Sequence, residues 1–259
     1  LKKFKKFYII LIPQNQLIPN KLSILNLNFS LKIVKKEDET MKILGILASP
    51  HKNGGSAQLL QAALKAASLE GCETELTCLY DGEIKSCIGC INDGEPNCKF
   101  PCIFDDFGKV LLEKIYYSDG IIFATPTYWF SVSSPLKALI ERITSLEHMI
   151  TYGEQSYVEN KVVSAIAVGA DGGVVSTISY ILTVFNSMGA IIPPWAMAYS
   201  HQAKKAIYDN KALMDAINVG KITARTVKLI KGYKETIKYE YDNNLLENIR
   251  EELVKTLGI

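Results

Sequence analysis

The chain has 259 residues, 48% of them hydrophobic, with six cysteines and a formal net charge of +2 at neutral pH. That length buries a sizeable core as one α/β domain or, at most, two, and a near-neutral balance calls for neither nucleic acid nor an anionic membrane as partner. Six cysteines are too few for a disulfide-stapled secreted scaffold, and no run of about eighteen apolar residues marks a membrane-spanning helix.

The first forty residues hold eight Lys and no Gly or Ala. Their opening "LKKFKKFYIILIP" imitates a secretory signal, but its apolar run of about six residues falls short of the usual length of about 7–15, and no small-residue cleavage site follows. Residues 1–40 are expected to be an extension that the fold does not need, with Met41 as the true start. An arm that associates with a membrane or embraces another subunit is the other reading.

From Met41 strand-like and helix-like segments alternate. "KILGILA" (42–48) predicts a strand, "SAQLLQAALKAASLEG" (56–71) a helix with a glycine stop, and "ETELTCLY" (73–80) a second strand. After a cysteine-rich loop come a helix over 107–118, a strand over 120–125, a helix over 134–148, a strand over 161–170, a helix over 174–188 and a last strand near "AIIPPW" (190–195). Parallel strands need crossover connections, so this rhythm predicts a five-stranded parallel sheet covered by helices on both faces, a three-layer α/β/α sandwich. Residues 41–200 are expected to form that domain. Residues 201–259 read as two amphipathic helices, near 209–235 and 242–257, packed on the domain or on another subunit.

In such a sheet ligands sit beyond the carboxyl ends of the strands, where the strand order reverses. The loop after the first strand, "SPHKNGGSA", matches neither the P-loop nor the dinucleotide fingerprint. Ser49, His51, Asn53, Gly54, Gly55 and Ser56 nevertheless offer hydroxyls, an amide, flexible backbone and a helix amino end, a set that suits a phosphate dianion. An ordinary strand-to-helix turn with Ser56 as N-cap is the alternative. The loop after the third strand, "TPTYWFSVSSPLKALIER", carries Tyr128 and Trp129, which can bracket a flat heterocycle or fill a core or subunit contact. The loop after the fourth strand, "VGADGGVVS", lets backbone approach a planar ring, or simply turns tightly.

The loop after the second strand, "CIGCINDGEPNCKFPCIFDD", places Cys87, Cys90, Cys98 and Cys102 within sixteen positions. Four thiolates from one loop can hold an iron–sulfur cluster or a tetrahedral zinc, and free or disulfide-forming thiols complete the alternatives. Gly89, Gly94 and Pro96 supply turns for wrapping a site. Cys72 and Cys78 read as small buried hydrophobes, and Asp105 with Asp106 as the start of the next helix, where negative charge is favoured. The three histidines, at 51, 148 and 201, have no metalloprotease spacing.

Together, "ILASPHKNGGSAQLL", "TPTYWFSVSSPLKALIER" and "VGADGGVVSTISYILTVFNSMGA" resemble the phosphate loop, the isoalloxazine loop and the glycine-rich third loop of the flavodoxin-like NADPH-dependent FMN reductase family, over about residues 41–195. The resemblance implies an FMN phosphate held by Ser49, His51, Asn53, Gly54, Gly55 and Ser56. It implies a flavin ring held by Pro126, Thr127, Tyr128, Trp129 and Phe130, with Gly169, Asp171 and Gly172 near its polar edge. His51 stands where family members commonly carry Arg.

The cysteine loop resembles that of the iron–sulfur flavoprotein subgroup, which binds a [4Fe-4S] cluster through four cysteines. Here Asp93 stands where the compact motif has its third cysteine, so Cys98 would serve as the displaced ligand beside Cys87, Cys90 and Cys102. The resemblance further implies electron donation by NAD(P)H or another donor and a homodimer or homotetramer. The protein is expected in the cytoplasm, and the cysteine loop, leaving the second strand at the same edge of the sheet, is expected to bring its thiols near the flavin. No side chain is assigned as an acid or a base. The competing expectations are a non-enzymatic electron carrier or redox sensor, a cluster-free quinone or flavin reductase, and a zinc-stapled nucleotide-binding module.

Overall fold

The computed structural model describes residues 40–92, 98–233, 237–238 and 242–258. The expectations for residues 1–39, and those for Asp93, Gly94 and Pro96, lie outside the described residues. The described residues belong to one compact unit.

Five parallel strands build the sheet: Lys42–Leu47 (β1), Glu73–Cys78 (β2), Gly120–Pro126 (β3), Val162–Val168 (β4) and Met197–Ser200 (β5), in the order β2-β1-β3-β4-β5. The central strands β3 and β4 read as near-continuous apolar runs because both of their faces are covered. Side chains alternate between the faces, so Leu44, Ile46, Ile121, Phe123, Val163 and Ala165 join one core cluster and Ile43, Leu47, Ile122, Ala124 and Ile166 the other. The first cluster is closed by Phe107–Tyr117 (α2), Ser134–Arg142 (α3), Thr144–Glu147 (α4) and Val174–Ser187 (α5). The second is closed by Gly55–Leu69 (α1) and Asn210–Gly232 (α6). Phe123 and Phe185 meet across the first core with ring centroids 4.8 Å apart; truncating either to Ala would cost roughly 3–5 kcal/mol.

The last strand is displaced from its expected place at 190–195. Ile191 begins to pair, exchanging backbone hydrogen bonds of 2.9 Å with Lys161 and Val163. Pro193 and Pro194 then offer no N–H to a ladder, and Trp195 turns at φ 53°, so regular pairing resumes only at Met197.

The tail divides into two parts. Helix α6 starts from Asp209, whose carboxylate accepts the Ala212 N–H at 3.2 Å and the Ser200 hydroxyl at 2.8 Å. It is bound into the sandwich by a buried Ser164–Thr223 hydroxyl pair, 2.8 Å apart, between β4 and α6. Asn243–Leu257 (α7) is an amphipathic helix with no buried residue. Among the described residues no helix is long and apolar enough to cross a membrane.

Candidate functional site

The chain leaves β1 for a helix on one face and β3 for a helix on the other. The strand order therefore reverses between them, opening a crevice beyond their carboxyl ends. Loops from β1, β3 and β4 border it.

In the first loop Ser49 is buried, its Oγ accepts the His51 N–H at 3.2 Å, and the His51 carbonyl accepts the Gly54 N–H at 2.9 Å. Helix α1 starts at Gly55 with Gly54 as its N-cap, and Ser56 lies buried inside the first turn, so the expectation of Ser56 as N-cap is corrected. No side chain caps this helix and no acidic residue stands in its first turn. Its positive end therefore meets the crevice without a protein anion to neutralise it. His51 and Asn53 are exposed at the rim, and the Asn53 carbonyl accepts from Gln58 Nε2 at 2.9 Å.

The second loop is a tight hairpin. Tyr128 and Ser131 exchange backbone hydrogen bonds of 2.9 and 3.0 Å, leaving Trp129 and Phe130 as the two turn residues at φ 48° and 61°. That turn ordinarily takes Asn-Gly, and each bulky residue held left-handed costs on the order of 1–3 kcal/mol. Core packing does not repay this, because Trp129 is 94% exposed and Phe130 66%. Beneath the turn, Thr127 donates its N–H to the Val168 carbonyl at 2.9 Å, while its Oγ1 is buried with no hydrogen-bond partner. Thr125 Oγ1 accepts the Ser133 N–H at 3.3 Å, and Ser133 Oγ donates to the Ala48 carbonyl at 2.8 Å, which ties this loop to the end of β1.

The third loop closes against the second. Gly169 is buried, and a Cβ there would lie 3.2 Å from Thr127 Cβ. Asp171 and Gly172 are exposed, and Gly173, at φ 91°, lies under Phe130. The structure thus brings Pro126, Thr127, Phe130, Gly169 and Gly172 together.

Tyr80 and Ser133 are additions that the sequence reading missed. Burial, ahead of the nearby Tyr128 phenol, raises the Tyr80 pKa, and the start of the cysteine loop lies beside the hairpin after β3.

The cysteine loop then runs along the flank of α2 and α3. All six cysteines are free; Cys90 and Cys98 are buried, and Cys87 and Cys102 are half-buried. Burial, reinforced by the thiols of Cys90, Cys102 and Cys87, pushes Cys98 up to about 12, so the four sulfurs share one electrostatic neighbourhood. Cys102 has a left-handed backbone, φ 98°, another strained position for a residue with a side chain. Cys102 neighbours Arg142 at the end of α3, and Cys98 and Cys90 neighbour Tyr152. Among the described residues no group of three or more His, Cys, Asp or Glu is arranged to hold a metal ion.

Asp106 and Arg142 form the other feature that the sequence reading missed. Asp106 begins α2, as expected, and accepts the N–H groups of Lys109 and Lys85 at 3.2 and 2.9 Å. Its carboxylate also receives Arg142 Nη1 at 2.8 and 2.6 Å, with both side chains buried. Burial alone would raise the Asp106 pKa; Arg142 and the two backbone donors outweigh it and hold the carboxyl below its ordinary value. A signal was present in the sequence, since Arg142 follows Leu139 by three positions on the apolar face of α3.

The residues fit FMN on three counts: an uncapped helix end for a dianion, an unpartnered buried hydroxyl at Thr127, and an exposed aromatic turn. By the chemistry of its donors, four free thiols in one electrostatic neighbourhood, the cysteine loop suits a soft metal centre.

Strand order 2-1-3-4-5 with its site at the reversal defines a flavodoxin-like α/β protein. The chain belongs to the NADPH-dependent FMN reductase family, whose model matches residues 41–204. It is 39% identical over 201 residues to an iron-sulfur flavoprotein of Methanocaldococcus jannaschii, covering 74% of this chain and all of that protein. An iron-sulfur flavoprotein of Archaeoglobus fulgidus is 27% identical over 221 residues, covering 78% of this chain and 96% of that protein. Among solved structures, RosB with bound 8-demethyl-8-formylriboflavin-5'-phosphate superposes with a TM-score of 0.66 at 20% identity, covering 82% of this chain and 88% of that one. A flavone reductase superposes with a TM-score of 0.55 at 22% identity, covering 74% and 64%. Both share the fold.

Proposed function

We propose that this protein is an FMN-dependent oxidoreductase that takes electrons from NAD(P)H and delivers them through a [4Fe-4S] cluster on Cys87, Cys90, Cys98 and Cys102. The observation that carries the flavin part is the buried, unpartnered Thr127 Oγ1 under the strained Trp129–Phe130 turn. When bound, FMN accepts a hydride and releases electrons singly, and a cluster carries single electrons onward.

The chain's own residues bind and orient. The first turn of α1, which includes Ser56, receives the phosphate together with the preceding loop at Ser49. Thr127 Oγ1 and the backbone around it orient the polar edge of the ring, and Tyr128 and Trp129 cover its face and exclude water. Four cysteine thiolates hold the cluster, a reading supported by the relatives named iron-sulfur flavoproteins. We further propose a cytoplasmic homodimer or homotetramer; the exposure of Trp129 and Trp195, at 94% and 77%, supports the oligomer.

The test is a visible spectrum of anaerobically purified full-length protein, with iron and acid-labile sulfide measured on the same sample, followed by steady-state NAD(P)H oxidation. Flavin bands, stoichiometric iron and sulfide, and turnover with a pyridine nucleotide support the proposal. Flavin without iron reduces it to a plain FMN reductase. Flavin and iron with inertness to both pyridine nucleotides make it an electron carrier fed by another protein.

A further inference from the structure

Arg142 is the largest fully buried side chain of the described residues, and nothing in the flavin site uses it. Its guanidinium spends Nη1 on the Asp106 carboxylate and on a longer contact of 3.5 Å to the Lys85 carbonyl. Nε and Nη2 are buried without a hydrogen-bond partner. A buried charge with two idle donors is costly, since each unsatisfied donor forfeits its hydration.

The surroundings show where the idle donors belong. Phe104, from the cysteine loop, stacks on the guanidinium with its ring centre 5.2 Å from Cζ, and Cys102 is close enough to act on its charge. On the other side α2 makes room at Gly108, where a Cβ would overlap Nη1 and Cζ. The guanidinium is thus held between the start of α2, the end of α3 and the last cysteine of the loop, with the Asp106 carboxylate as its single fixed counter-charge among these contacts. One carboxylate engages only one edge of a guanidinium that has five donors in a rigid fork.

We propose that Arg142 is the charge partner of the sulfur centre in the cysteine loop, with Nε and Nη2 donating to the Cys102 thiolate or to sulfide of the bound cluster. This rests on the cluster reading above and goes beyond it by naming the residue that sets the cluster's electron affinity. Each electron that the cluster accepts from the flavin adds one negative charge to it. A fixed cation at hydrogen-bond range stabilises that reduced form, while Asp106, of opposite sign, opposes it.

The test uses full-length protein, reconstituted with iron and sulfide under anaerobic conditions, as wild type, Arg142→Gln, Arg142→Lys and Asp106→Asn. Iron and sulfide content is read together with the cluster midpoint potential from a spectroscopic redox titration. Arg142→Gln is expected to lower the ratio of reduced to oxidised cluster at a fixed potential by about tenfold, a shift of about 59 mV for a one-electron couple. Asp106→Asn is expected to raise the ratio by about threefold, and Arg142→Lys to stay within about threefold of wild type. Shifts of opposite sign support a charge role, because loss of structure alone moves both variants the same way.

An unchanged potential and full iron content in Arg142→Gln overturn the role of Arg142 and leave the cluster reading standing. Should Arg142→Gln fail to fold, Asp106→Asn decides, and an unchanged potential there has the same meaning. Wild-type protein that takes up no iron overturns the cluster reading, and this inference with it.

Discussion

Phe130 lies so close to Gly173 that a Cβ at the glycine would come within 2.7 Å of the ring and 2.9 Å of the Phe130 Cα. Gly173 also sits at φ 91°, where a side chain is strained whatever the space. The Trp129–Phe130 turn is therefore supported from below by the loop after β4. Gly173→Ala is expected to destabilise the protein by about 1–3 kcal/mol and to weaken FMN binding by roughly tenfold, through displacement of the turn. Urea denaturation and flavin-fluorescence titration check the two effects; unchanged FMN affinity in a folded variant would break the link between the loops.

Thr127→Val separates the needs of the empty and loaded protein. Removing a buried hydroxyl that has no partner is expected to stabilise the flavin-free protein by about 1 kcal/mol. If that hydroxyl serves FMN, the same change weakens FMN binding by about 1.4 kcal/mol, or tenfold. Thermal melts of apo-protein and FMN titration provide the pair of signs, and equal FMN affinity for both proteins removes Thr127 from the cofactor site.

Trp129 occupies a left-handed turn position while 94% exposed. Trp129→Asn places there a residue suited to the turn, and is expected to stabilise the isolated flavin-free chain by about 0.5–1 kcal/mol. It should also weaken flavin binding, by roughly three- to tenfold, through loss of the aromatic cover. Destabilisation of the flavin-free protein would show that the tryptophan is packed in solution, most simply against a second subunit, and size-exclusion chromatography of the variant reads that out.

Lys161 lies at the opposite end of the sheet, donating to the carbonyls of Tyr116 and Ser118 at 2.7 Å each. Burial lowers its pKa from 10.5 to about 8, with Asp119 raising it and Lys231 lowering it further. Between those values the unfolded chain binds more protons than the folded one, so stability rises with pH across about 8–10.5. The gain is about 3 kcal/mol in all. Below about pH 8 both states are protonated and this contribution is flat. Lys161→Met is expected to remove the rise, which urea midpoints at pH 7.5, about 9 and about 10.5 would show; an unaltered slope assigns it to other groups.

Much of the fold was readable from periodicity. Apolar runs such as "GIIFAT" and "VVSAIAV" mark strands covered on both faces, and Ala/Leu-rich stretches between them mark crossover helices. The last strand was misplaced because "AIIPPW" looks apolar enough; the missing N–H groups of two prolines matter only once a neighbour strand needs them. Trp129 gave no sign of its exposure, since an aromatic residue after a buried strand reads equally well as core.

By itself the sequence determined the parallel sheet, the three crevice loops and the family, because hydrophobic period and loop composition are local properties of the chain. It also determined that four thiols share one loop. Only the tertiary structure decided that the Thr127 Oγ1 is buried without a partner, that Gly173 supports Phe130, and that Arg142 meets Asp106 from 36 positions away beside Cys102. Those relations depend on which groups lose water together when helices and loops close on the sheet, and separation along the chain does not encode that.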